Sequence, residues 1–278
     1  MIYAKLKGNG YEYCRDVEVW FPKWNKEVVV IVSPHDDDAL FGCGITIQAL
    51  KEIGGEVYVL ILTDGSMGYT SKNENDFNGK NKIVETRKGE TVKAYEKVGV
   101  DAEHIIIFGY PDSELEKKVE EREVQRGIIE KLRELKVTRV FLPNEYDFHV
   151  DHKAAYEYGL YCGIQATTGI MWSSEEEEVC NIKSFLIYPV WMDFEEGRKI
   201  DYGIKAEVDC DNIYLERKLE GIKEYVGEGR SQRQMKNSLD EIVRRGASEY
   251  FLSCTINMFD GKKCDKMVFG GLREACQI

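Results

Sequence analysis

The sequence predicts an α/β protein in which a mostly parallel β-sheet carries helices on both of its faces. Short β-branched runs such as Val28–Ser33 (VVVIVS) lack alternating polar positions, which is typical of strands buried on both faces of a parallel sheet. These runs alternate with helical segments at the spacing of βαβ units. Right-handed crossovers between successive parallel strands then give a three-layer, Rossmann-like arrangement.

The first elements along the chain are well marked. Residues 1–26 are predicted to form a lead-in hairpin with GNG at 8–10 as its turn. The first buried strand, Val28–Ser33, leads through a Gly-containing turn into a helix that ends at the glycine pair of positions 54 and 55. The second strand, Glu56–Thr63, follows directly.

The later elements repeat the same strand-and-helix unit. A long polar loop at 66–81 precedes a helix over 84–98, and the third strand spans 104–108. A charged amphipathic helix is predicted over 119–135. The remaining elements are a fourth strand at Arg139–Pro143, a further strand at 184–190, and helices at 214–226 and 232–245.

We interpret the chain as a single α/β domain over residues 1–278. Hydrophobic residues make up 43% of the sequence, which is enough to bury one large core. Within this domain the lead-in hairpin of 1–26 precedes a catalytic core at 27–160. Additional strands and C-terminal helices are expected at 161–278.

Composition excludes several classes of function. Lys and Arg number 38 and Asp and Glu 50, so the net charge of −12 repels nucleic-acid phosphates and anionic lipid. No apolar run reaches the roughly 18 residues of a membrane-spanning helix, and the first residues lack the apolar stretch of a secretory signal. The eight cysteines include no CxxC pair and are interpreted as mostly reduced. A cytoplasmic protein that binds neither nucleic acid nor membrane is expected; its oligomeric state stays open, a homo-oligomer included.

Three of the four histidines follow predicted strands, each time with aspartates. Because the carboxyl ends of parallel strands form the ligand crevice, the two segments are expected to converge. Two histidines and one aspartate with an open position are typical of a catalytic site for Zn²⁺ or Fe²⁺, where the metal lowers the pKa of bound water. The residues concerned are His35, Asp37 and Asp38 after the first buried strand, and His149, Asp151 and His152 after the fourth.

Each segment by itself also has a structural explanation. Aspartates after a strand often cap the following helix, and an HxxH pair is commonly a surface feature. Two segments at converging strand ends favour a functional site over these alternatives. His104 lies at the start of a strand and is interpreted as structural.

The segment SPHDDDALFGCG at 33–44 resembles the AHPDDE signature of the LmbE-like, or PIG-L, N-acetylglucosamine de-N-acetylases. Further motifs similar to those of the family follow in the family's order, and the resemblance covers about residues 27–160. They are LTDG at 62–65, Arg87 and Glu90 in RKGE, FGYPDSEL at 108–115, HVDH at 149–152, and Ser231 with Gln232.

The resemblance implies a metal-dependent hydrolase that removes the N-acetyl group, a linear amide, from an amino sugar or its glycoside. His35, Asp38 and His152 would bind one divalent metal ion, with Zn²⁺ favoured. Asp37 would be the base that deprotonates the metal-bound water. The resemblance further implies that His149 stabilises the oxyanion or protonates the leaving amine, that Asp151 orients its ring, and that Arg87 and Asp112 contact sugar hydroxyls. A salt bridge for Arg87 and a turn role for Asp112 are equally open.

Two positions depart from the family signature. The proline after the first histidine is Asp36 here, and the closing glutamate is Ala39. The extra carboxylate makes Asp36 an alternative base, although the register of the motif favours Asp37. Loss of the glutamate removes a side chain that would support the metal ligands.

Other features leave alternatives open. The loop at 66–81 is either a lid over the site or a plain surface excursion. Four aromatic residues could stack on a sugar or pack in the core: Tyr69, Tyr110, Trp172 and Trp191. Two other classes of protein were compared with the hydrolase. A phosphate-accepting receiver domain needs a lysine at a later strand end, and this class is disfavoured because none stands there. A non-catalytic sugar-binding protein on the same fold stays open, and the sequence does not specify the acceptor sugar.

Overall fold

We describe the fold from a computed structural model. It describes residues 2–7, 11–14, 26–67, 77–118, 120–168, 178–191, 203–208, 213–225 and 248–253. The described strands are β1 Ile2–Lys7, β2 Tyr11–Cys14, β3 Val28–Ser33, β4 Glu56–Thr63, β5 Ile105–Tyr110, β6 Arg139–Pro143, β7 Ser184–Tyr188, β8 Gly203–Val208 and β9 Ser248–Ser253. The described helices are α1 Asp38–Glu52, α2 Phe77–Lys97, α3 Leu115–Lys118, α4 Arg122–Glu134, α5 Val150–Ala166 and α6 Ile213–Lys223.

The strands form one sheet with the order β2-β1-β8-β9-β7-β6-β3-β4-β5. The five strands β7, β6, β3, β4 and β5 pair in parallel with one another, which confirms the predicted α/β class. The pairs β7–β9, β8–β9, β1–β8 and β1–β2 are antiparallel and form a wing on one side. Chain order reverses between β3 and β6, and such a switch point is where open α/β sheets bind ligands.

Helices cover both faces of the parallel sheet, as predicted. On one face, α1, α2 and α6 bury a core with the alternate residues of β3 and β4 that point toward them. On the other face, α4 and α5 pack against the remaining residues of the same strands. The full burial of Val29–Val32 on both sides explains why the β3 run is hydrophobic without alternation.

Several predicted boundaries need correction. The third strand starts at Ile105, because His104 belongs to a 3₁₀ turn at Ala102–His104. The loop predicted at 66–81 is shorter, since α2 already begins at Phe77. The helix predicted over 119–135 is present as α4, starting at Arg122, and a separate single turn that was not predicted, α3, precedes it. The helix predicted at 232–245 lies outside the described residues, as does the hairpin turn at 8–10.

A buried ion pair ties the C-terminal elements to the middle of α1. The backbone N–H groups of Ile45 and Thr46 donate to the carboxylate of Glu249 on β9 over 2.7 and 2.9 Å. Lys218 on α6 donates to the same carboxylate and to the Phe41 carbonyl, each over 2.7 Å. The helix that begins at the strand-end aspartates is therefore held by residues more than 170 positions away in sequence.

No helix in the described part of the chain is long and apolar enough to cross a bilayer. The thiols of Cys43, Cys162 and Cys180 are buried and free of disulfide bonds.

Candidate functional site

The segments that follow β3 and β6 meet at the switch point of the sheet. The ring centroids of His35 and His152 are 5.4 Å apart, and those of His35 and His149 are 4.7 Å apart. The rings of His149 and His152 are separated by 5.1 Å. The fold thus brings His35 next to His149 and His152, which lie about 115 positions further along the chain.

The turn after β3 is held by its own side chains. The Ser33 hydroxyl donates to the His35 carbonyl and accepts from the Ala39 N–H over 3.0 Å. Asp38 Oδ2 accepts from the His35 backbone N–H over 2.9 Å and lies 3.0 Å from His35 Nδ1. Asp37 is the N-cap residue of α1 and is buried. This turn places imidazole and carboxylates in fixed positions beyond the strand.

The turn after β6 is held by a capped helix. His149 is the N-cap of α5, and its Nδ1 accepts from the Asp151 N–H over 3.2 Å. Asp147 Oδ1 accepts from the His149 N–H over 3.2 Å. Asp151 and His152 therefore lie in the first turn of α5, where a negative side chain is favoured by the helix dipole.

His152 sits between two carboxylates and is fully buried. Its Nε2 lies 3.2 Å from Asp38 Oδ2, and its Nδ1 lies 3.2 Å from Asp147 Oδ2. Neither ring nitrogen makes a hydrogen bond of good geometry. Buried polar atoms normally find partners, so a cation that His152 and Asp38 could share would fit this position.

The opposite edge of His35 faces two more aspartates. Its Nε2 is 3.2 Å from Asp151 Oδ2 and 3.3 Å from Asp112 Oδ1. The Asp151 carboxylate also accepts from the N–H groups of Ser113 and Leu115, over 2.7 and 3.1 Å. The expected orienting contact of Asp151 on His149 is thus made by its backbone N–H, whereas its carboxylate contacts His35.

These contacts raise the pKa values of His35 and His152. Burial lowers the pKa of His35, but hydrogen bonds to Asp112, Asp151 and Asp38 outweigh it and raise the pKa well above the usual value. Burial also lowers the pKa of His152, while the charge of Asp38 and the contact with Asp147 raise it to about 9.

The pKa values of His149, Asp38 and Asp112 are lowered instead. Burial, together with the charges of His35 and His152, lowers the pKa of His149. Burial raises the pKa of Asp38, but the charges of His152 and His35 and the hydrogen bond with His35 bring it well below its usual value. Asp112 has its pKa lowered to about 2 because its bond to His35 outweighs burial. The site is therefore a set of carboxylates that attract positive charge, beside one neutral imidazole.

Two overlapping groups of side chains have the spacing of a metal site. The ligand atoms of His35, His149 and His152 lie within 4.8 Å of one another. The same is true of His35, Asp112 and Asp151. Imidazole nitrogen and carboxylate oxygen suit Zn²⁺ or Fe²⁺, so this is a candidate His/Asp metal-binding cluster.

Asp36, which replaces the family's proline, forms a buried ion pair with Arg87. Arg87 Nε donates to Asp36 Oδ2 over 3.0 Å and an Nη–H donates to Oδ1, while the Thr91 hydroxyl lies 3.2 Å from Oδ2. Tyr225 donates to the Asp36 carbonyl over 2.7 Å. Burial lowers the pKa of Arg87, but the charge of Asp36 outweighs it and raises the pKa. The extra negative charge is balanced locally.

A cavity of about 200 Å³ adjoins this ion pair. Its lining includes Asp36, Thr63, Asp64, Asn81, Arg87 and Lys88. Arg87 thus forms the salt bridge that the sequence left open and also lines a cavity. Asp112 is buried, with Oδ2 accepting from the Met67 N–H over 3.0 Å. Sugar contacts by Arg87 and Asp112 stay a prediction.

Sequence reasoning missed Asp147, which contacts His149, His152 and the backbone of Trp191. Asp147 stands two residues before His149 in DFHVDH, where an aspartate often accepts from a backbone N–H two residues further on. This spacing was the one local sequence pattern that could have indicated its role. Tyr110 is half-buried and stacks on Phe108 at 5.6 Å, so it packs rather than lines the site. Tyr69 and Trp172 lie outside the described residues.

The fold and the site together place the protein in a class: α/β proteins with a His/Asp cluster at the switch point of a parallel sheet. Residues 30–162 match the family described as PIG-L, GlcNAc-PI de-N-acetylase. That segment contains both halves of the cluster, so the part of the chain that carries the site is similar to the PIG-L, or LmbE-like, family.

One relative matches part of the chain in sequence, and a solved structure matches it in fold. The diacetylchitobiose deacetylase of Thermococcus kodakarensis is 34% identical over 135 residues, which are 48% of this chain and 47% of that protein. The match thus spans about half the length of this relative. The structure of N,N'-diacetylchitobiose deacetylase from Pyrococcus horikoshii superposes with a TM-score of 0.65 at 22% identity, covering 86% of this chain and 87% of that one.

A similar fold also occurs in a protein described as a hydratase rather than a deacetylase. The structure of GalB, the 4-carboxy-2-hydroxymuconate hydratase of Pseudomonas putida KT2440, superposes with a TM-score of 0.64 at 16% identity, covering 84% of this chain and 98% of that one. Likeness at these identities establishes the fold alone. Any assignment of activity therefore depends on the site.

Proposed function

We propose that the protein is a metal-dependent deacetylase that removes the N-acetyl group from a small N-acetylglucosamine-containing substrate. The observation that carries the proposal is the convergence of His35, Asp38 and His152, with Asp38 Oδ2 within 3.2 Å of a nitrogen of each histidine. The similarity of residues 30–162 to a de-N-acetylase family supports the reaction type, and the named relative supports an amino-sugar substrate.

His35, Asp38 and His152 would hold one divalent ion, with Zn²⁺ favoured by this donor set. The buried nitrogens of His152, which lack well-aligned hydrogen bonds, fit such a ligand role. When bound, the ion supplies a Lewis acid that lowers the pKa of water and polarises the amide carbonyl. Asp147, 3.2 Å from His152 Nδ1, would fix the orientation of that ring.

Asp37 is proposed as the general base. It ends the turn after β3 and is buried as the N-cap of α1, next to Asp38. Its neighbour Asp36 is already engaged by Arg87 in a buried ion pair, so a proton would be taken up there at the expense of that pair. This supports Asp37 over Asp36 as the group that accepts the proton of the attacking water.

His149 is proposed to donate a proton. Its Nδ1 accepts from the Asp151 N–H, so in the neutral ring the proton is on Nε2. From there it can donate a hydrogen bond to the developing oxyanion or protonate the leaving amine. Arg87 and Asp112 are proposed to contact the sugar, Arg87 from the wall of the adjoining cavity. The free buried thiols support a cytoplasmic setting.

A binding protein without catalysis is the second candidate. It was suggested by the two departures from the signature, Asp36 and Ala39. Arg87 balances the charge of Asp36, and Ala39 lies in the first turn of α1, buried in the core. Because neither residue disturbs the His/Asp cluster, the catalytic proposal is preferred.

Acetate release decides between these functions. We expect release from one or more members of a panel of N-acetylglucosaminyl compounds, with loss on chelation and recovery on adding Zn²⁺. A matched variant, His104→Gln, changes the one histidine at the other end of the sheet and should behave as wild type. Saturable sugar binding without acetate release by metal-replete protein would establish the binding-only function instead.

A further inference from the structure

We propose that three residues from the C-terminal third of the chain position Asp37 and Asp38 by holding the backbone around the start of α1. They are Lys218 on α6, Tyr225 just after α6, and Glu249 on β9. We call these three residues the C-terminal clamp. This role rests on the proposed function, in which Asp38 binds the metal and Asp37 is the base.

Two charged side chains bond to the backbone in the middle of α1. In a regular α-helix the N–H of Ile45 would donate to the carbonyl of Phe41, four residues earlier. In this helix the N–H groups of Ile45 and Thr46 donate to the Glu249 carboxylate over 2.7 and 2.9 Å, and the Thr46 hydroxyl adds a third bond of 2.7 Å. The Phe41 carbonyl accepts from Lys218 Nζ over 2.7 Å. The first turn of α1 is therefore joined to the rest of the helix in part through side chains of α6 and β9.

The two charges of the clamp are buried and complement the helix backbone. Lys218 Nζ lies 2.7 Å from Glu249 Oε1, and each residue is 3% exposed. An ammonium at a backbone carbonyl and a carboxylate at backbone N–H groups are both favourable arrangements, because they match the partial charges of the peptide groups. A Cβ built on Gly44 would lie 2.9 Å from Lys218 Cγ, so this glycine provides the space that the lysine side chain occupies beside α1.

The third clamp residue holds the turn that precedes α1. Tyr225 is fully buried, and its hydroxyl donates to the Asp36 carbonyl over 2.7 Å. Asp36 directly precedes Asp37, the N-cap of α1, and Asp38 is the first residue of the helix. The backbone is thus held on both sides of Asp37 and Asp38 by residues that lie more than 170 positions later in the sequence.

The position of this backbone matters because metal ligands tolerate little displacement. Asp38 Oδ2 lies 3.0 Å from His35 Nδ1 and 3.2 Å from His152 Nε2. Ligand atoms have to lie within about 0.2 Å of the preferred metal distances. A shift of the first turn of α1 by a few tenths of an ångström would therefore weaken the site and move Asp37 with it. The clamp residues lie beyond residues 30–162, so the family similarity does not include them.

A comparable group of buried charges lies at the opposite end of the sheet and provides a matched control. Glu27 precedes β3 and is 5% exposed; its Oε1 accepts from Lys183 Nζ over 2.6 Å, and its Oε2 lies 3.6 Å from Arg139 Nε. These residues stand at the amino ends of β3, β7 and β6, whereas the His/Asp cluster lies beyond the carboxyl ends. Glu27→Gln therefore removes a buried charge at the other end of the strands from α1.

Zinc affinity is a readout that a purely stabilising role would not change. The Kd for Zn²⁺ is measured by competition with a chromophoric chelator, at a temperature where every variant is folded. Lys218→Met keeps the length of the side chain without its charge, and should weaken the Kd about tenfold and lower kcat for acetate release about tenfold, with KM within about twofold of wild type. Tyr225→Phe should weaken the Kd about threefold, because it removes one neutral hydrogen bond. Glu27→Gln should lower the melting temperature but leave the Kd and kcat within about twofold of wild type.

The outcomes separate the role of the clamp from the proposed function. If Lys218→Met and Tyr225→Phe bind Zn²⁺ as tightly as wild type and only unfold more easily, the positioning role is refuted while the deacetylase stands. If the Kd values follow the expected pattern but wild type releases no acetate, the positioning role stands and the deacetylase proposal fails. Should Lys218→Met not fold, Tyr225→Phe decides by itself. Wild type that binds no Zn²⁺ would overturn both.

Discussion

Asp36 shows how one residue alters the electrostatics of the strand-end turn. Three consecutive carboxylates, Asp36 to Asp38, would repel one another if all faced the same side. The fold resolves this by directing Asp36 to Arg87 on α2 and Asp38 to His35 and His152. The signature proline of the family is thus replaced by an ion pair that connects the turn to the next helix.

A double-mutant cycle measures this ion pair. Asp36→Asn or Arg87→Met alone leaves a buried charge without its counter-ion and should lower the free energy of unfolding by about 3–5 kcal/mol. The double variant should cost less than the sum, with a coupling of about 0.5–3 kcal/mol. Urea denaturation checks this, and strictly additive losses would show that the pair is not coupled.

Asp37→Asn tests the base. The amide keeps the size of the carboxylate and leaves the three proposed ligands untouched, so metal content should equal that of wild type. Without a proton acceptor, acetate release should fall about 10²–10⁴-fold. Measuring turnover and bound zinc on the same preparation distinguishes loss of the proton acceptor from loss of the metal. A native rate in this variant would remove Asp37 from the mechanism.

At the residue scale, the sequence predicted which side chains meet but not all of their partners. The proximity of His35, Asp38 and His152 followed from two segments at the carboxyl ends of neighbouring strands. Asp147 was missed because its contacts with His152 and Trp191 depend on how β7 ends beside β6, and no local pattern records that.

Among the elements, α1 illustrates close packing on the sheet. A Cβ built on Gly42 would lie 2.2 Å from the Tyr188 ring and 3.1 Å from the Pro189 carbonyl. Tyr188 has little freedom to move, because it is fully buried and its hydroxyl donates to the Val32 carbonyl over 2.7 Å. The glycine therefore permits α1 to lie against β7.

Gly42→Ala should destabilise the protein by about 1–3 kcal/mol through overpacking. The matched control is Gly89→Ala on α2, where a Cβ would meet nothing within 4 Å. That change should be neutral or stabilising by up to about 1 kcal/mol, since alanine favours the helix. Thermal melting of both variants compares them. Equal stability of the two would contradict the tight contact of α1 with Tyr188.

Element prediction succeeded where burial is uniform and failed where long-range contacts decide. The strands β3, β4 and β6 match their predicted bounds because each is a short run made up mostly of apolar residues. The single turn α3 was not predicted, and the turn at Ser113 that precedes it, with φ of 64°, is held by Asp151 from α5. That contact spans 38 residues.

For the whole molecule, the antiparallel wing could not be predicted from local patterns. β8 pairs with β1, and β9 lies between β8 and β7, so the wing joins strands from both ends of the chain. Pairing of such distant strands leaves no periodicity to detect. Glu249 on β9 then reaches α1 itself, which explains how the C-terminal third supports the site.

Metal binding should stabilise the whole fold. Since the proposed ligands come from α1, α5 and the turn after β3, an ion held only by folded protein raises the free energy of unfolding by about 2.7 kcal/mol at a hundredfold excess over Kd. Thermal melts with and without Zn²⁺ should show this for wild type and not for Asp38→Asn. An equal shift in both proteins would place the stabilising ion elsewhere.

The most direct measurement is the metal content of the intact protein by native mass spectrometry. Wild type and His104→Gln should each carry one divalent ion per chain, whereas His152→Gln and Asp38→Asn should carry none while remaining folded. Full occupancy in His152→Gln and Asp38→Asn, or none in wild type after zinc loading, would contradict the metal centre on which the proposed deacetylase depends.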